Sequence, residues 1–104
     1  MKLKQVLIEK YIKPSETGNK SNDVFIQRWF DKNYDLHSFM SQPAYISYYK
    51  GKIIYKIWYK KGICHRDGDL PAFISYNNGQ IYHQKWYKNG KLIKSIKQSR
   101  KGIF

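Results

Sequence analysis

Acid is what this chain has least of. Its 104 residues carry seven Asp and Glu side chains, one cysteine, three prolines and three arginines. A single thiol, Cys64, excludes an internal disulfide framework and suits a reducing compartment. With one cysteine, a zinc site would need three histidines or an acid. His37, His65 and His83 show no ligand-pair spacing such as His-x3-His. No GxxxxGK[ST] or GxGxxG occurs, so there is no phosphate loop and no dinucleotide fold signature. Cys64 and His65 are adjacent, which in a strand sends their side chains to opposite faces and prevents a nucleophile–base pair. The run Val6-Leu7-Ile8 is too short for a signal peptide or a membrane span, so a chain that is neither secreted nor membrane-spanning is expected. These absences point to a non-enzymatic protein without catalytic residues, cofactor, metal or small-molecule substrate.

What is present is a repeat. PAYISY at Pro43–Tyr48 returns 28 positions later as PAFISY at Pro71–Tyr76, and residues 43–65 and 71–93 share 11 of 23 positions. The shared set includes Gly51/Gly79, Trp58/Trp86 and Gly62/Gly90. A fixed period means one structural unit stacked on copies of itself. A third, eroded copy lies upstream, with Trp29 standing 29 residues before Trp58 and DVFIQRWF aligned with KIIYKIWY. At that offset Gly51 and Gly62 fall on Asn22 and Asn33, residues that tolerate left-handed backbone. The division expected is a single repeat domain over 1–104. It comprises an irregular cap (1–22), three copies (23–42, 43–70 and 71–98) and a tail (99–104).

Each copy reads as hairpins. Asn78-Gly79 and Asn89-Gly90 are strong turn signals eleven residues apart, as are Gly51 and Gly62. The segments between are rich in Ile, Tyr and Trp, which suit a pleated, half-buried surface. No window has a helical period. Strands are expected near 5–12, 24–30, 44–49, 52–60, 72–77, 80–88 and 91–97. The fold class is therefore all-β, an elongated antiparallel hairpin meander built from about three tandem repeats. Strict alternation puts Ile53, Tyr55, Ile57 and Tyr59 on one face, with Ile54, Lys56, Trp58 and Lys60 on the other, and neither face is cleanly polar. A sheet this thin buries little, so a homodimer is expected. His37 and His65, each six residues before a Pro-Ala, are expected to satisfy backbone groups in the links between copies.

Twenty basic groups face the seven acids, a net charge of +13. The excess rises along the chain: from Leu70 to Phe104 there are seven basic groups and no acid. Lys85, Lys88, Lys91, Lys94, Lys97, Arg100 and Lys101 recur every three or four residues, a spacing that could line one edge with cations. Such a domain is attracted to polyanions: nucleic acid, anionic lipid or acidic protein. The plainer reading is a solvated surface that confers solubility. Lysines outnumber arginines 17 to 3, and arginine is the usual reader of guanine edges, so any DNA binding should be backbone-directed and steeply salt-dependent.

The stretches WYKNGKLIK (Trp86–Lys94), WYKKGICHR (Trp58–Arg66) and HRDGDLPAFISYNNGQI (His65–Ile81) resemble repeats of the MORN type. They are most similar to the divergent form found in proteins of large DNA viruses of amoebae. The resemblance covers about 23–95 and departs from the usual pattern by a longer period, fewer glycines and excess lysine. It implies an extended, non-enzymatic scaffold that dimerises, in some relatives on membranes or acidic lipids. Together with the charge, it implies a structural virion component associated with DNA or another polyanion, located in the virion or host cytoplasm. The alternatives are an anionic-membrane scaffold and a protein–protein adaptor.

Overall fold

The computed structural model describes residues 7–13 as backbone and residues 23–98 in full. The expected strand start before Leu7, the rest of the cap, Asn22 and the tail with Arg100 and Lys101 lie outside the described residues. Nine strands and no helix occur in the described part: β1 (Leu7–Lys13), β2 (Val24–Phe30), β3 (Tyr45–Tyr49), β4 (Lys52–Ile57), β5 (Tyr59–Lys60), β6 (Ile63–Cys64), β7 (Phe73–Asn77), β8 (Gln80–Lys88) and β9 (Lys91–Lys97). The protein is all-β. Seven strands form one antiparallel meander in the order β1-β2-β3-β4-β7-β8-β9, and β5 pairs with β6 in a small separate ribbon.

Four hairpin turns share one backbone solution. Both central residues have positive φ at Lys50-Gly51 (52° and 81°), Lys61-Gly62 (49° and 80°), Asn78-Gly79 (55° and 82°) and Asn89-Gly90 (50° and 82°). Two left-handed residues in succession make the turn whose twist matches that of the flanking strands. The glycine is demanded most strongly at Gly90, where an added Cβ would also lie 3.1 Å from Ile63 Cγ2.

An irregularity near three of these turns overturns the strict alternation. Register shifts between Ser47 and Tyr48, between Ser75 and Tyr76, and between Trp86 and Tyr87 leave Ile54, Tyr82 and Ile93 as extra residues. Ile53 therefore stands opposite Tyr48 while Tyr55 stands opposite Ser47, so the two belong to different faces. The first face, called here the tryptophan face, carries Trp29, Ala44, Ile46, Trp58, Ala72, Ile74 and Trp86. The second, the open face, carries Tyr45, Ser47, Tyr55, Ile57, Phe73, Ser75, His83 and Lys85.

The expected strand 52–60 is broken. Trp58 leaves the main ladder: its N–H donates to Ala72 O (2.8 Å) and its carbonyl accepts from His65 N (3.1 Å). Beyond it, Tyr59 pairs with Cys64 and Lys60 with Ile63. The equivalents in the next copy, Tyr87 with Leu92 and Lys88 with Lys91, remain inside the long strands β8 and β9. The cause is the route the chain takes after each ribbon. After Cys64 it runs through the link His65–Leu70 before Phe73 rejoins β4, whereas after Leu92 it reaches Ser95 and pairs with Lys85 directly. The last copy omits six residues, and β9 occupies the place where a further unit would begin.

The first copy also departs from the alignment. Asn33 is not left-handed; Tyr34 is, with φ 65°. The first turn is one residue longer, because Phe30 bridges Leu36 where Tyr59 pairs Cys64. Asp31 organises it: Oδ1 accepts from Asn33 N (2.8 Å) and Asp35 N (3.1 Å). Burial alone would raise the Asp31 carboxyl pKa, but these two backbone N–H groups, helped by His37 and Lys61, bring it below the ordinary value.

The core is small. Buried hydrophobic side chains are Ala44, Trp58, Ala72 and Ile74, with Cys64, Tyr76 and Tyr87 packed against the Trp58 cluster. Pro43 and Pro71, which close the two links, are buried as well. Alanine at 44 and 72 makes room: Trp29 and Trp58 each stand beside one of them, where a larger side chain would hold the indole away from the sheet.

Candidate functional site

The links interlock the copies through their histidines. His37 Nδ1 accepts from Lys61 N (3.0 Å) and Leu36 O from Gly62 N (2.8 Å). One repeat later, His65 Nδ1 accepts from Asn89 N (2.8 Å) and Cys64 O from Gly90 N (2.9 Å). A tight two-residue turn directs its N–H groups outward, and the link of the preceding copy receives them. His65 Nε2 faces Asp67 Oδ1 at 2.8 Å. With Nδ1 accepting, the proton sits on Nε2 and is donated to the carboxylate, which holds the Asp67 pKa below its usual value. Both ring nitrogens are engaged in holding the link.

Beside this histidine, the Arg66 guanidinium lies 3.8 Å from the Trp58 ring centroid and donates to Pro71 O (3.0 Å). A hollow of about 200 Å³ separates the two links, bordered by His37, Trp58, His65 and Arg66. Burial pushes the Cys64 thiol up to about 11. Moving a thiol from about 9 to about 11 lowers its thiolate fraction near neutrality roughly a hundredfold. Cys64 should therefore be alkylated about a hundred times more slowly in the folded chain than in urea, measured by mass spectrometry after iodoacetamide pulses. Equal rates would show an accessible, ionisable thiol. No group of three metal-ligating side chains occurs among the described residues.

The acids whose side chains are described lie outside the strands. Of the described acids, Asp23 precedes β2, Asp31 and Asp35 lie in the first turn, and Asp67 and Asp69 lie in the second link; strands β2 to β9 contain no carboxylate. Aromatic rings take the place that counter-ions would fill. Lys94 Nζ sits 4.3 Å from the centroid of Trp86, Lys85 5.0 Å from Phe73, Lys56 5.6 Å from Tyr76 and Lys97 5.8 Å from Tyr82. Each contact orients the ammonium without neutralising it.

The seven cations expected along one edge do not form one row. Lys85 and Lys97 lie on the open face, and Lys88, Lys91 and Lys94 on the tryptophan face: a three-residue spacing alternates between faces in a strand, and only the bulge at Ile93 brings Lys91 to the face of Lys94. Lys91, Lys94 and Lys97 are exposed on the terminal described strand. Lys88 is not available in the same way: Nζ donates to Arg66 O (3.0 Å) and Gly68 O (2.7 Å), tying β8 to the link. Its role was not legible from spacing, since its partners are backbone carbonyls of the link. Lys94 stands opposite Trp86, where Trp58 has Ala72.

His83, which alignment places in a strand, does share a locale with two of these lysines. Its Nε2 lies 2.9 Å from Ser95 Oγ. Desolvation, then Lys85 and Lys97, lowers its pKa below the ordinary imidazole value.

Comparison with family profiles, with curated proteins and with solved structures finds no match to the chain. The resemblance to MORN-type repeats rests on the residue patterns of Trp58–Ile81 and Trp86–Lys94. No helix among the described residues is long and apolar enough to cross a membrane.

Proposed function

We propose that this chain is a non-catalytic, repeat-built module that binds polyanions without sequence preference, duplex DNA foremost, as a structural component of a virion. The observation that carries the binding is a sheet whose strands β2 to β9 hold no carboxylate while Lys56, Lys85, Lys94 and Lys97 rest on aromatic rings. Unneutralised ammonium groups attract phosphate and release its condensed counter-ions, a gain that falls as salt rises. Scarce arginine leaves base edges unread. The virion setting is supported by the resemblance alone, and proteomics of purified particles is its test. The same resemblance supports a homodimer. Its route would avoid the β9 edge, where Lys91, Lys94 and Lys97 would meet their own copies.

Fluorescence anisotropy with a labelled duplex across a salt series tests the binding. A log–log slope near −3 to −5 is expected, about −0.9 for each phosphate contacted. No association at low salt would overturn the proposal.

One observation favours a second reading, an anionic membrane surface. Leu92, Ile93 and Ile96 are 50%, 57% and 43% exposed, interleaved with the β9 lysines, a pairing of apolar and basic groups that suits a lipid interface. Co-sedimentation with phosphatidylserine vesicles, absent with neutral ones, would support it.

A further inference from the structure

The two faces of the sheet differ in what covers their rings. Both described links fold over the tryptophan face: Ser41 O accepts from Trp58 Nε1 (3.1 Å), and Arg66 lies across the Trp58 ring. The open face has no such cover from either link, yet it carries Tyr55 and Phe73 with ring centroids 5.6 Å apart, and His83 6.3 Å beyond Phe73. Tyr55 is 39% exposed.

The flanking residues explain that exposure. Tyr55 stands between Ser47 on β3 and Ser75 on β7, and His83 pairs with Ser75 from the other side. Serine is too short to reach the upper part of a neighbouring ring, which leaves Tyr55 exposed while Phe73 is half-buried. A face meant to be closed by packing would place branched aliphatics there, as the tryptophan face does with Ile46 and Ile74. At the margin of the same face lie Lys85, over Phe73, and Lys97, opposite His83. No carboxylate occurs in strands β2 to β9.

We propose that this face of β4, β7, β8 and β9 is a stacking platform for single-stranded nucleic acid. Unpaired bases lie on Tyr55 and, as the Lys85 ammonium turns from its ring to the connecting phosphate, on Phe73, with Lys97 meeting the next phosphate. Every base has a π-face, so the recognition is tolerant of sequence, and a duplex keeps its bases stacked on one another, out of reach of the rings. The inference rests on the polyanion reading and adds to it a preference for unpaired strands. Charge complementarity selects the occupant: a neutral or basic partner gains nothing from the lysines, and a lipid surface offers no planar group to the rings.

The test compares oligothymidylate with a duplex of equal phosphate count at one salt concentration, using the full chain, tyrosine fluorescence and anisotropy. Oligothymidylate should bind about tenfold more tightly and quench tyrosine emission. Tyr55→Leu should weaken oligothymidylate binding about tenfold and leave duplex affinity unchanged, while Tyr55→Phe, which keeps the ring, should retain it. Melting curves of both variants establish that they fold, and Phe73→Leu repeats the comparison at the second ring should Tyr55→Leu not. Equal affinity for the two nucleic acids, or equal loss of both in Tyr55→Leu, overturns the platform and leaves the polyanion reading standing. Binding of phosphatidylserine vesicles with neither nucleic acid bound overturns both.

Discussion

Trp58→Ala is expected to abolish cooperative unfolding of the chain near room temperature. Truncating a buried tryptophan costs about 3–5 kcal/mol through lost transfer energy and the cavity left behind. A domain of this length has roughly 5–15 kcal/mol to lose, and a thin sheet with four buried hydrophobic residues among those described belongs at the lower end. Trp58 is 5% exposed and is the one large ring in the buried set. Ala72, Ile74 and the Arg66 guanidinium all rest on it, so its removal frees the link as well as the cluster. A conservative pair sharpens the point. Trp58→Phe loses the bond from Nε1 to Ser41 O and should cost about 1–2 kcal/mol. At the equivalent position one repeat later, Trp86 Nε1 is buried without a partner. Trp86→Phe removes an unsatisfied donor and should be close to neutral. Urea melts followed by circular dichroism measure all three, and equal costs at the two positions would refute the assignment of Trp58 as the keystone.

The second large effect concerns the lysines. Replacing Lys91, Lys94 and Lys97 by glutamine should flatten the salt dependence of duplex binding by about 2.7 log units per log unit of salt. Affinity should fall ten- to a thousandfold at moderate ionic strength, with the midpoint of thermal unfolding nearly unchanged, because all three side chains are exposed. Lys88→Gln should do the reverse. Its ammonium is held by two link carbonyls, so its loss should lower stability by about 1–2 kcal/mol and hardly alter the salt slope. If Lys88→Gln proves the more damaging to binding, the division of lysines between surface and scaffold is wrong.

Much of the architecture was legible because hairpin turns are chemically explicit. Asn78-Gly79 and Asn89-Gly90 announce positive φ, and their eleven-residue spacing fixes the strand between them. The identical offset of Lys50-Gly51 and Lys61-Gly62 then carries the same geometry to a copy whose residues signal it less strongly. The histidine spacing likewise marked the links, although the N–H groups their Nδ1 atoms receive belong to the following hairpin turns, at Lys61 and Asn89, and not to the links themselves. What the pattern left hidden has a common cause. An extra residue in a strand has no composition of its own, so the bulges at Ile54, Tyr82 and Ile93 were invisible, and with them the true partition of faces. Tyr55 was read with Ile53 when it belongs with Ser47, and this concealed the ring that stands above its serine neighbours. The longer first turn was hidden for a similar reason: Asn33 fitted an alignment, but the added residue moved the left-handed position to Tyr34. Lys88 looked like its neighbours because its partners are carbonyls, which no side-chain pattern reveals.

The omission of six residues after Leu92 bears on how such an object can grow. Each internal unit carries its own clasp, a histidine that reaches forward to the following turn, and therefore tolerates being copied whole. The last described unit is different, since its chain returns to the sheet too early to leave such a clasp after Leu92. A duplicated copy of either complete unit would therefore bring its own fastening with it.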